Sequence, residues 1–544
     1  MRRYLRERIE SCLRSFGLPD DSIVPTFEKP RNAAHGDLTT NVAMSAAKIL
    51  RTAPVELARR IIETLQIDRT LVDRVEVAGP GFINFHFSEK FYREQTTQVL
   101  RLGQKFGHIE TGKRTKTQVE FVSANPTGPL TVGHGRGAVY GDTVARLLEW
   151  AGHEVTREYY FNNAGRQMRI LGDSVRLRYL EMLGESLPFP EDYYQGEYIK
   201  EIAGHLKEQH GDKLRNEPAE GIFKQQAEKE IFDDIKKTLK RLGVVHDVFY
   251  NENSLYESGK VREVIEELRS RKLAYDLDGA VWFKATEFGG EKDKVIVKNT
   301  GEPTYRLPDI AYHREKLRRG FELVIDVLGA DHVATYPDVL AALKALGYDP
   351  SKVKVLIHQF VTIVQDGEVV KMSTRKANFI TLDELIDEVG SDVVRYFFLM
   401  RGIDSHLNFD LNLAKEQSEQ NPVYYLQYAH ARIASIIRHA ESQGVDIMSG
   451  HDLSPLVEPE ELALMKSLVE FPDMVESCAL SYEPHRLAEY LHELAGVFHK
   501  FYHVHRVVTE DKRLTAARIA LCLATKTVLA NGFAILGISA PEKM

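Results

Sequence analysis

Residues 117–141 read TQVEFVSANPTGPLTVGHGRGAVYG. The run TQVEFVSA is apolar enough for a buried strand. It ends in a Pro/Gly loop that opens a helix at Gly133-His134-Gly135. The helix GAVYGDTVARLLEWAG stops at Gly152, and HEVTREYYFN follows as a second strand. Strand, loop, helix and strand make a βαβ unit, the start of a doubly wound, Rossmann-type parallel sheet. A loop of this kind brings backbone N–H groups and the positive end of a helix to whatever lies above the strand. That is an anion site, most naturally for phosphate. GHGRG is not GxGxxG, so a dinucleotide-binding fold is the poorer match.

About 240 residues further on stands VVKMSTRKANF, at the far end of a predicted hairpin FVTIVQDGEVVKMS that turns at Asp366-Gly367. Lys371, Arg375 and Lys376 surround the small hydroxyl residues Ser373 and Thr374, a cationic clamp suited to a polyphosphate. A solvated basic turn gives the same pattern. Paired with the phosphate cradle, the clamp points to an enzyme that cleaves ATP. His134 then donates to a phosphate oxygen as charge builds in the transition state. Gly133 and Gly135 let the backbone approach the phosphates, and Lys371 neutralises the β,γ-phosphates as pyrophosphate leaves. The plainer reading of GHG is a Gly-rich turn before a packed helix, with a surface histidine. GADH at 329–332 follows the apolar run LVIDVL, which places it at the C-terminal end of a strand, where ligands bind in open α/β sheets. There Asp331 can accept from a ribose hydroxyl and Gly329 leaves room for the nucleoside. A helix N-cap aspartate is the alternative.

A chain of 544 residues is too long for one core and predicts three or four domains. Residues 1–110 read as a small α+β domain, with helical segments at 2–16 and 40–65 and a hairpin VDRVEVAGPGFINFHFS turning at Gly79-Pro80-Gly81. Residues 111–400 hold the α/β domain, interrupted by a charged, helical insertion at about 165–270. The sheet is expected to resume with GAVWFKAT, KVIVKNTG, FELVIDVLGADH and KVKVLIHQFVTIV. Residues 401–544 read as an all-α bundle, nearly continuous from 384 onward, with Leu487, Leu491, Leu494, Phe498 and Phe501 on one apolar face. Such a bundle suits a module that grips a macromolecule and suits oligomerisation equally. No uninterrupted apolar run approaches the roughly 18–20 residues of a membrane span. The basic N-terminus has the helical spacing Leu5, Ile9, Cys12, Leu13, Phe16 and is not a signal peptide. Cys12, Cys478 and Cys522 lie far apart, which argues for a reducing compartment, for buried thiols and against structural zinc. The net charge of −8 does not exclude nucleic acid, because RNA binding needs only a local basic face. Residues 1–60 carry 11 Lys/Arg against 7 Asp/Glu, though a solvated helix face gives the same count.

TVGH resembles the HIGH element of class I aminoacyl-tRNA synthetases, and KMSTR their KMSKS element. The flanks VEFVSANPTGPLTVGHGRGAVYGD, VTREYYFNNAGRQM, DSHLNFDLNLAKEQSEQNPVYYLQYAHARI and GISAPEKM are together similar to bacterial arginyl-tRNA synthetases, over nearly the whole chain. The resemblance implies ligation of L-arginine to its tRNA through an arginyl-adenylate, with ATP as substrate and Mg²⁺ accompanying it. ATP contacts are implied for Thr131, Gly133, His134, Gly135, Gly329, Asp331, Lys371, Ser373, Thr374 and Arg375. Arginine contacts are implied for Ser123, Asn125, Tyr305 and Asp309, with Glu252 as a second carboxylate. An arginine substrate needs carboxylates placed for bidentate pairing with its planar guanidinium. Thr131 stands where the family usually has histidine, and Asn163 where it often has aspartate. The resemblance also assigns the N-terminal domain to the tRNA elbow and the C-terminal bundle to the anticodon, in a cytoplasmic monomer with no membrane partner. Two rivals are a class I ligase for cysteine or glutamine and a non-catalytic RNA-binding paralogue. No two cysteines are close enough for the zinc site a cysteine enzyme wants. Retention of His134, Lys371 and Asp309 counts against the paralogue.

Overall fold

The computed structural model describes residues 1–19, 22–30, 32–370, 380–446 and 452–544. They divide into two units. One holds Met1–Phe106, Ile433–Phe471 and Gly496–Val528, the other Gly107–Arg432, Pro472–Ala495 and Leu529–Met544.

In the first unit, α1 (Arg2–Ser15) buries Leu5, Ile9, Cys12 and Leu13, the face its spacing predicts. The segment 40–65 is not one helical stretch. β1 (Leu38–Thr40) leads into α2 (Val42–Leu50), Arg51 turns left-handed at φ 51°, and α3 (Pro54–Thr64) starts on its proline. Pro54 has no N–H to continue α2 and holds Ala53 extended, so a new helix begins there. β2 (Val72–Ala78) and β3 (Phe82–Phe87) form the predicted antiparallel hairpin in a sheet of order β1-β3-β2. Gly81 in its turn has φ 127° and packs so tightly on Pro54 that a Cβ would lie 3.0 Å from it. α4 (Glu89–Leu102) is capped by Ser88, whose Oγ accepts the Phe91 N–H at 3.0 Å. Ion pairs Lys29–Glu470 (2.7 Å) and Lys466–Asp37 (2.8 Å) join the later segments to this module.

The second unit holds the doubly wound sheet. Its five strands are all parallel, in the order β11-β10-β4-β5-β6: β4 (Lys116–Glu120), β5 (Glu154–Phe161), β6 (Val248–Asn251), β10 (Leu323–Gly329) and β11 (Val353–His358). Strand order reverses between β4 and β10, which opens a crevice at their carboxyl ends. α5 (Val132–Trp150) is the crossover from β4 to β5 and is buried along most of its length. Gly141 lets it lie on the sheet, because a Cβ there would meet Phe121 at 2.3 Å. The buried Asp142 of α5 accepts from Arg395 (2.7 Å), Arg146 (2.8 Å) and Arg157 (3.3 Å), and these guanidiniums hold its carboxyl below the usual range despite burial.

Four sequence expectations change. The insertion contains α6 (Gly165–Met182), α7 (Glu197–His210) and α8 (Lys224–Arg241), but β6 lies inside the range read as insertion and belongs to the main sheet. Only α9 (Asn253–Glu257) and α10 (Lys260–Ser270) follow it there. GAVWFKAT and KVIVKNTG do not rejoin the main sheet. They form β8 (Ala280–Phe283) and β9 (Lys294–Val297) of a separate antiparallel sheet with β7 (Ala274–Leu277). Asp278-Gly279, with φ 51° and 76°, is a two-residue hairpin turn, and a hairpin pairs its strands locally and antiparallel. KVKVLIHQFVTIV breaks at Gln359-Phe360: β11 stays in the main sheet, while β12 (Val361–Gln365) pairs with β13 (Glu368–Val369) and β14 (Leu407–Asp410). β14 in turn interrupts the helical run expected after 384.

α11 (Arg306–Arg318) and α12 (Tyr336–Ala345) flank β10, and α13 (Leu382–Val389), α14 (Ser391–Leu399) and α15 (Leu411–Lys415) surround β14. The remainder is helical: α16 (Pro422–Ser442), α17 (Pro459–Val469), α18 (Phe471–Ser481), α19 (Pro484–Val504) and α20 (Lys512–Leu536). All five predicted face residues of α19 are buried, as are the three free cysteines. By length and composition α20 could cross a membrane, yet 72% of its apolar window is buried inside the protein. A search for uninterrupted apolar runs passes over it because polar residues punctuate it.

Candidate active site

The crevice between β4 and β10 is lined on two sides, one by the start of α5 with the ends of β10 and β11, the other by the bend after β4 with the start of α11. On the first, Thr131 is the N-cap of α5 and its backbone N–H donates to His134 Nδ1 at 3.1 Å. The Thr131 hydroxyl lies 3.2 Å from the same nitrogen. Because Nδ1 accepts, the ring proton of the neutral imidazole sits on Nε2. Burial holds the His134 pKa below its ordinary value, partly offset by Asp331. His134 is thus a neutral Nε2–H donor at a helix N-terminus. Gly133 is open, its nearest neighbour being Thr131 Oγ1 at 3.7 Å from a would-be Cβ. Gly135 is different: a Cβ there would meet Leu382 at 2.6 Å and Phe398 at 2.9 Å, so its missing side chain serves packing. Gly329 ends β10, and the Asp331 side chain is 76% exposed in the short helix that follows, not capping a longer one.

Sequence reasoning missed His358. It ends β11 in register with Gly329, and its Nε2 lies 3.1 Å from where a Gly137 Cβ would stand. Burial, with Arg136 beside it, pushes its pKa down to about 4, so it too is neutral. Lys371, Ser373, Thr374 and Arg375 lie outside the described residues. The flanks of that segment are described: the Val370 N–H donates to Ile363 O at 3.0 Å, and the Leu382 N–H to Leu130 O at 2.8 Å. Thr381 bridges to Thr131, so the chain beyond the clamp is laced to the start of α5.

This lacing predicts how Thr131 tolerates change. Its backbone N–H anchors His134 Nδ1 whatever the side chain, so the ring keeps that bond when the 3.2 Å hydroxyl contact is lost. Thr131→Ala should cost about 1 kcal/mol of stability as a lost cap and leave adenylate formation near wild type. Thr131→His should also stay active. Thermal denaturation and ATP–pyrophosphate exchange check this, and inactivity of Thr131→His beside a neutral Thr131→Ala contradicts it.

On the second side, Val122 and Ser123 follow β4 with φ 71° and 46°, left-handed values that cost non-glycine residues energy. Hydrogen bonds hold the bend: Ser123 Oγ donates to Glu120 Oε1 at 2.9 Å and accepts the Tyr160 N–H at 3.1 Å. Asn125 Oδ1 accepts the Asn162 N–H at 2.9 Å. Glu252 accepts from the Tyr160 hydroxyl and from Asn162 Nδ2, both at 2.8 Å, and burial raises its pKa. Asp309, in the first turn of α11, faces this group. Burial first, then the neighbouring Glu252 and Glu120, push its pKa up to about 7, with His313 and Lys316 opposing. Hydrogen bonds through Tyr160 and Asn162 link Ser123, Asn125 and Glu252, and Asp309 joins this acidic pocket through its electrostatic interaction with Glu252. Tyr305 does not join it. It is the N-cap of α11, 86% exposed, and its carbonyl accepts the Asp309 N–H at 3.4 Å.

Sequence reading also missed the groups beneath the pocket. Lys316 Nζ donates to Glu120 Oε2 at 2.5 Å and to Asp326 Oδ1 at 2.6 Å, and His313 Nε2 meets Asp326 Oδ2 at 2.8 Å. The Tyr312 hydroxyl and Arg319 both bond Glu158. The i, i+3, i+4 spacing of Asp309, Tyr312, His313 and Lys316 is the readable signal, a polar stripe on one face of a helix. Among the described residues no group of three or more His, Cys, Asp or Glu is placed to hold a metal ion.

The family model "tRNA synthetases class I (R), catalytic domain" matches residues 95–396. "Arginyl tRNA synthetase N terminal domain" matches 3–87, and "DALR anticodon binding domain" matches 426–544. The chain is 53% identical to an arginine–tRNA ligase of Desulfotalea psychrophila over 95% of this chain and 94% of that protein. It is 51% identical to one of Chlorobaculum parvum over the full length of both. Among solved structures, a putative arginyl-tRNA synthetase from Campylobacter jejuni aligns with a TM-score of 0.78 and 34% identity, covering 84% of this chain and all of that one. The Thermus thermophilus arginyl-tRNA synthetase shares the fold over the full length of both chains, with a TM-score of 0.79 and 23% identity. Three family domains in order and full-length relatives at about 50% identity agree: the chain belongs to the arginyl-tRNA synthetases, within class I.

Proposed function

We propose that this chain ligates L-arginine to its tRNA in two steps. ATP lies over α5 and the ends of β10 and β11, and arginine lies in the acidic pocket. The arginine carboxylate attacks the α-phosphate, the bond to the β-phosphate breaks, and pyrophosphate leaves arginyl-adenylate behind. The 2′-hydroxyl of the terminal tRNA ribose then displaces AMP. His134 Nε2–H donates to phosphate oxygen as charge builds, and Lys371, Ser373, Thr374 and Arg375 close on the β,γ-phosphates. Gly329 and Asp331 receive the ribose. Mg²⁺ travels with the triphosphate, held by its oxygens. Ser123 and Asn125 take the amino-acid end of arginine, and Asp309 and Glu252 the guanidinium. Residues 1–110 contact the tRNA elbow, 111–400 carry the chemistry and 401–544 read the anticodon, in a cytoplasmic monomer.

The observation that carries this reading is the Asp309 carboxylate, set among Glu252 and Glu120 without a cation paired to it directly. Such a pocket is complete only with a positively charged guest. Aminoacylation of bulk tRNA with each of the twenty amino acids tests it: arginine alone should be charged, and charging of another amino acid in its place overturns the reading.

The same carboxylate predicts a pH dependence. Its folded pKa, about 7, stands above the ordinary aspartate value of 3.8. Its stabilising contribution is therefore full below pH 3.8 and is lost as pH rises through 7. Arginine pairs with the ionised form, so binding releases a proton below pH 7. The rise in melting temperature caused by arginine should be larger at pH 8 than at pH 6. A shift equal at both pH values contradicts this.

A further inference from the structure

Lys316 bonds two carboxylates beneath the acidic pocket, Glu120 and Asp326, and it reaches neither ATP nor arginine in the arrangement above. Its side chain is 0% exposed. Glu120, its first partner, closes β4. Asp326, its second, lies on the neighbouring strand β10, so the ammonium spans the switch point from below. Its position over the Tyr312 ring, 4.3 Å from the centroid, fixes it further. From Glu120 the chain of contacts continues upward: Glu120 Oε1 accepts from Ser123 Oγ, and Ser123 anchors the left-handed bend that precedes Asn125.

We propose that Lys316 is a positioning residue for arginine recognition: by bridging Glu120 to Asp326 it holds the Ser123 bend in place and sets the charge against which Asp309 receives the guanidinium. The inference rests on the assignment of Asp309 as guanidinium partner. The groups that face Asp309 are His313 and Lys316 on its own helix, Glu120 at the end of β4, Tyr160 on β5, and Glu252 and Tyr256 at α9. Lys316 and His313 are the only cations among them, and both also serve Asp326. Removing the ammonium leaves the carboxylates sharing less positive charge, so the pocket holds its proton to higher pH.

The test is Lys316→Met, of similar length and uncharged, beside the double variant Lys316→Met/Asp326→Asn, which removes a carboxylate together with its counter-ion. Arginine KM, ATP KM and kcat are measured between pH 6 and pH 9, with circular dichroism and thermal denaturation confirming a folded protein. Below the pocket pKa the arginine KM rises roughly tenfold for each unit by which that pKa is raised. In Lys316→Met the arginine KM at pH 7.5 should rise by roughly tenfold or more, and its pH inflection should move upward. The ATP KM should be unchanged. The double variant should move the inflection back toward wild type. A folded Lys316→Met with a wild-type arginine KM and inflection overturns the proposal. So does a rise in both KM values that the double variant does not relieve, since that is loss of packing alone. If Lys316→Met does not fold, the double variant decides alone: a wild-type arginine KM there, with the Glu120–Asp326 bridge gone, also overturns it. Asp309→Asn run in parallel separates the two levels. An unchanged arginine KM there removes the underlying assignment. A steep rise there, with Lys316→Met silent, removes only the role of Lys316.

Discussion

Asp309→Asn is expected to raise the arginine KM by roughly 10²–10⁴-fold, corresponding to the ~3–5 kcal/mol lost when a buried charge pair is broken from one side. The neutral amide would face a guanidinium that has given up its water. The ATP KM should barely change, because Asp309 lies on α11, away from the start of α5 and the ends of β10 and β11 where ATP is proposed to lie. The pH dependence of the arginine KM near 7 should flatten in the variant, since the titrating carboxyl is gone. Discrimination against citrulline, which keeps the planar shape without the charge, should weaken. Lysine should stay a poor substrate in both proteins, because a point charge on a flexible stem does not make the forked contact. Steady-state kinetics with arginine, citrulline and lysine at pH 6.5 and 8 measure all of this. An unchanged arginine KM would take Asp309 out of the pocket.

The legible part of this molecule is the part whose signal is local. The apolar spacing of α1 and α19, the strand–loop–helix at 117–141 and the Gly79-Pro80-Gly81 turn are each written within about twenty residues, and each is found in the structure. β6 is four residues long, too short to show a period, and was absorbed into the helices around it. The separate β7-β8-β9 sheet was misplaced because an apolar run states that it is a strand, not which strand it pairs with. The site divides the same way. His134 is visible from its loop, whereas His358, at the end of an ordinary strand, becomes a pocket residue only through its register with Gly329. Glu120 reads as one charge in an apolar run, and Lys316 as one cation in a charged helix. They are 196 positions apart, and only the sheet makes them partners. Tyr305 and Asp309 came from resemblance, and of the two only Asp309 is turned into the pocket.

Local structure and chemistry meet most closely at His134, where the hydrogen bond that fixes the ring also fixes its tautomer. Its Nδ1 is occupied as an acceptor by the Thr131 N–H, which leaves Nε2–H as the donor for the proposed reaction. His134→Ala should lower the rate of adenylate formation by about 10²–10³-fold, the cost of one preorganised donor to developing charge. Folding should be little affected, because the α5 N-terminus keeps its Thr131 cap and its buried face. Two further variants separate the ring nitrogens. His134→Gln places an amide N–H near the position of Nε2 and should retain more activity than His134→Ala. His134→Asn reaches only to the position of Nδ1, so it can satisfy the Thr131 N–H but not the phosphate, and should be as slow as His134→Ala. Burial keeps the imidazole neutral below its ordinary pKa, so single-turnover activation at saturating arginine should not fall as pH drops from 7.5 to 6.5 through loss of this donor. Pre-steady-state formation of adenylate, followed by pyrophosphate release, resolves the three variants. If His134→Asn outperforms His134→Gln, the donor is Nδ1 and the phosphates lie on the other side of the ring.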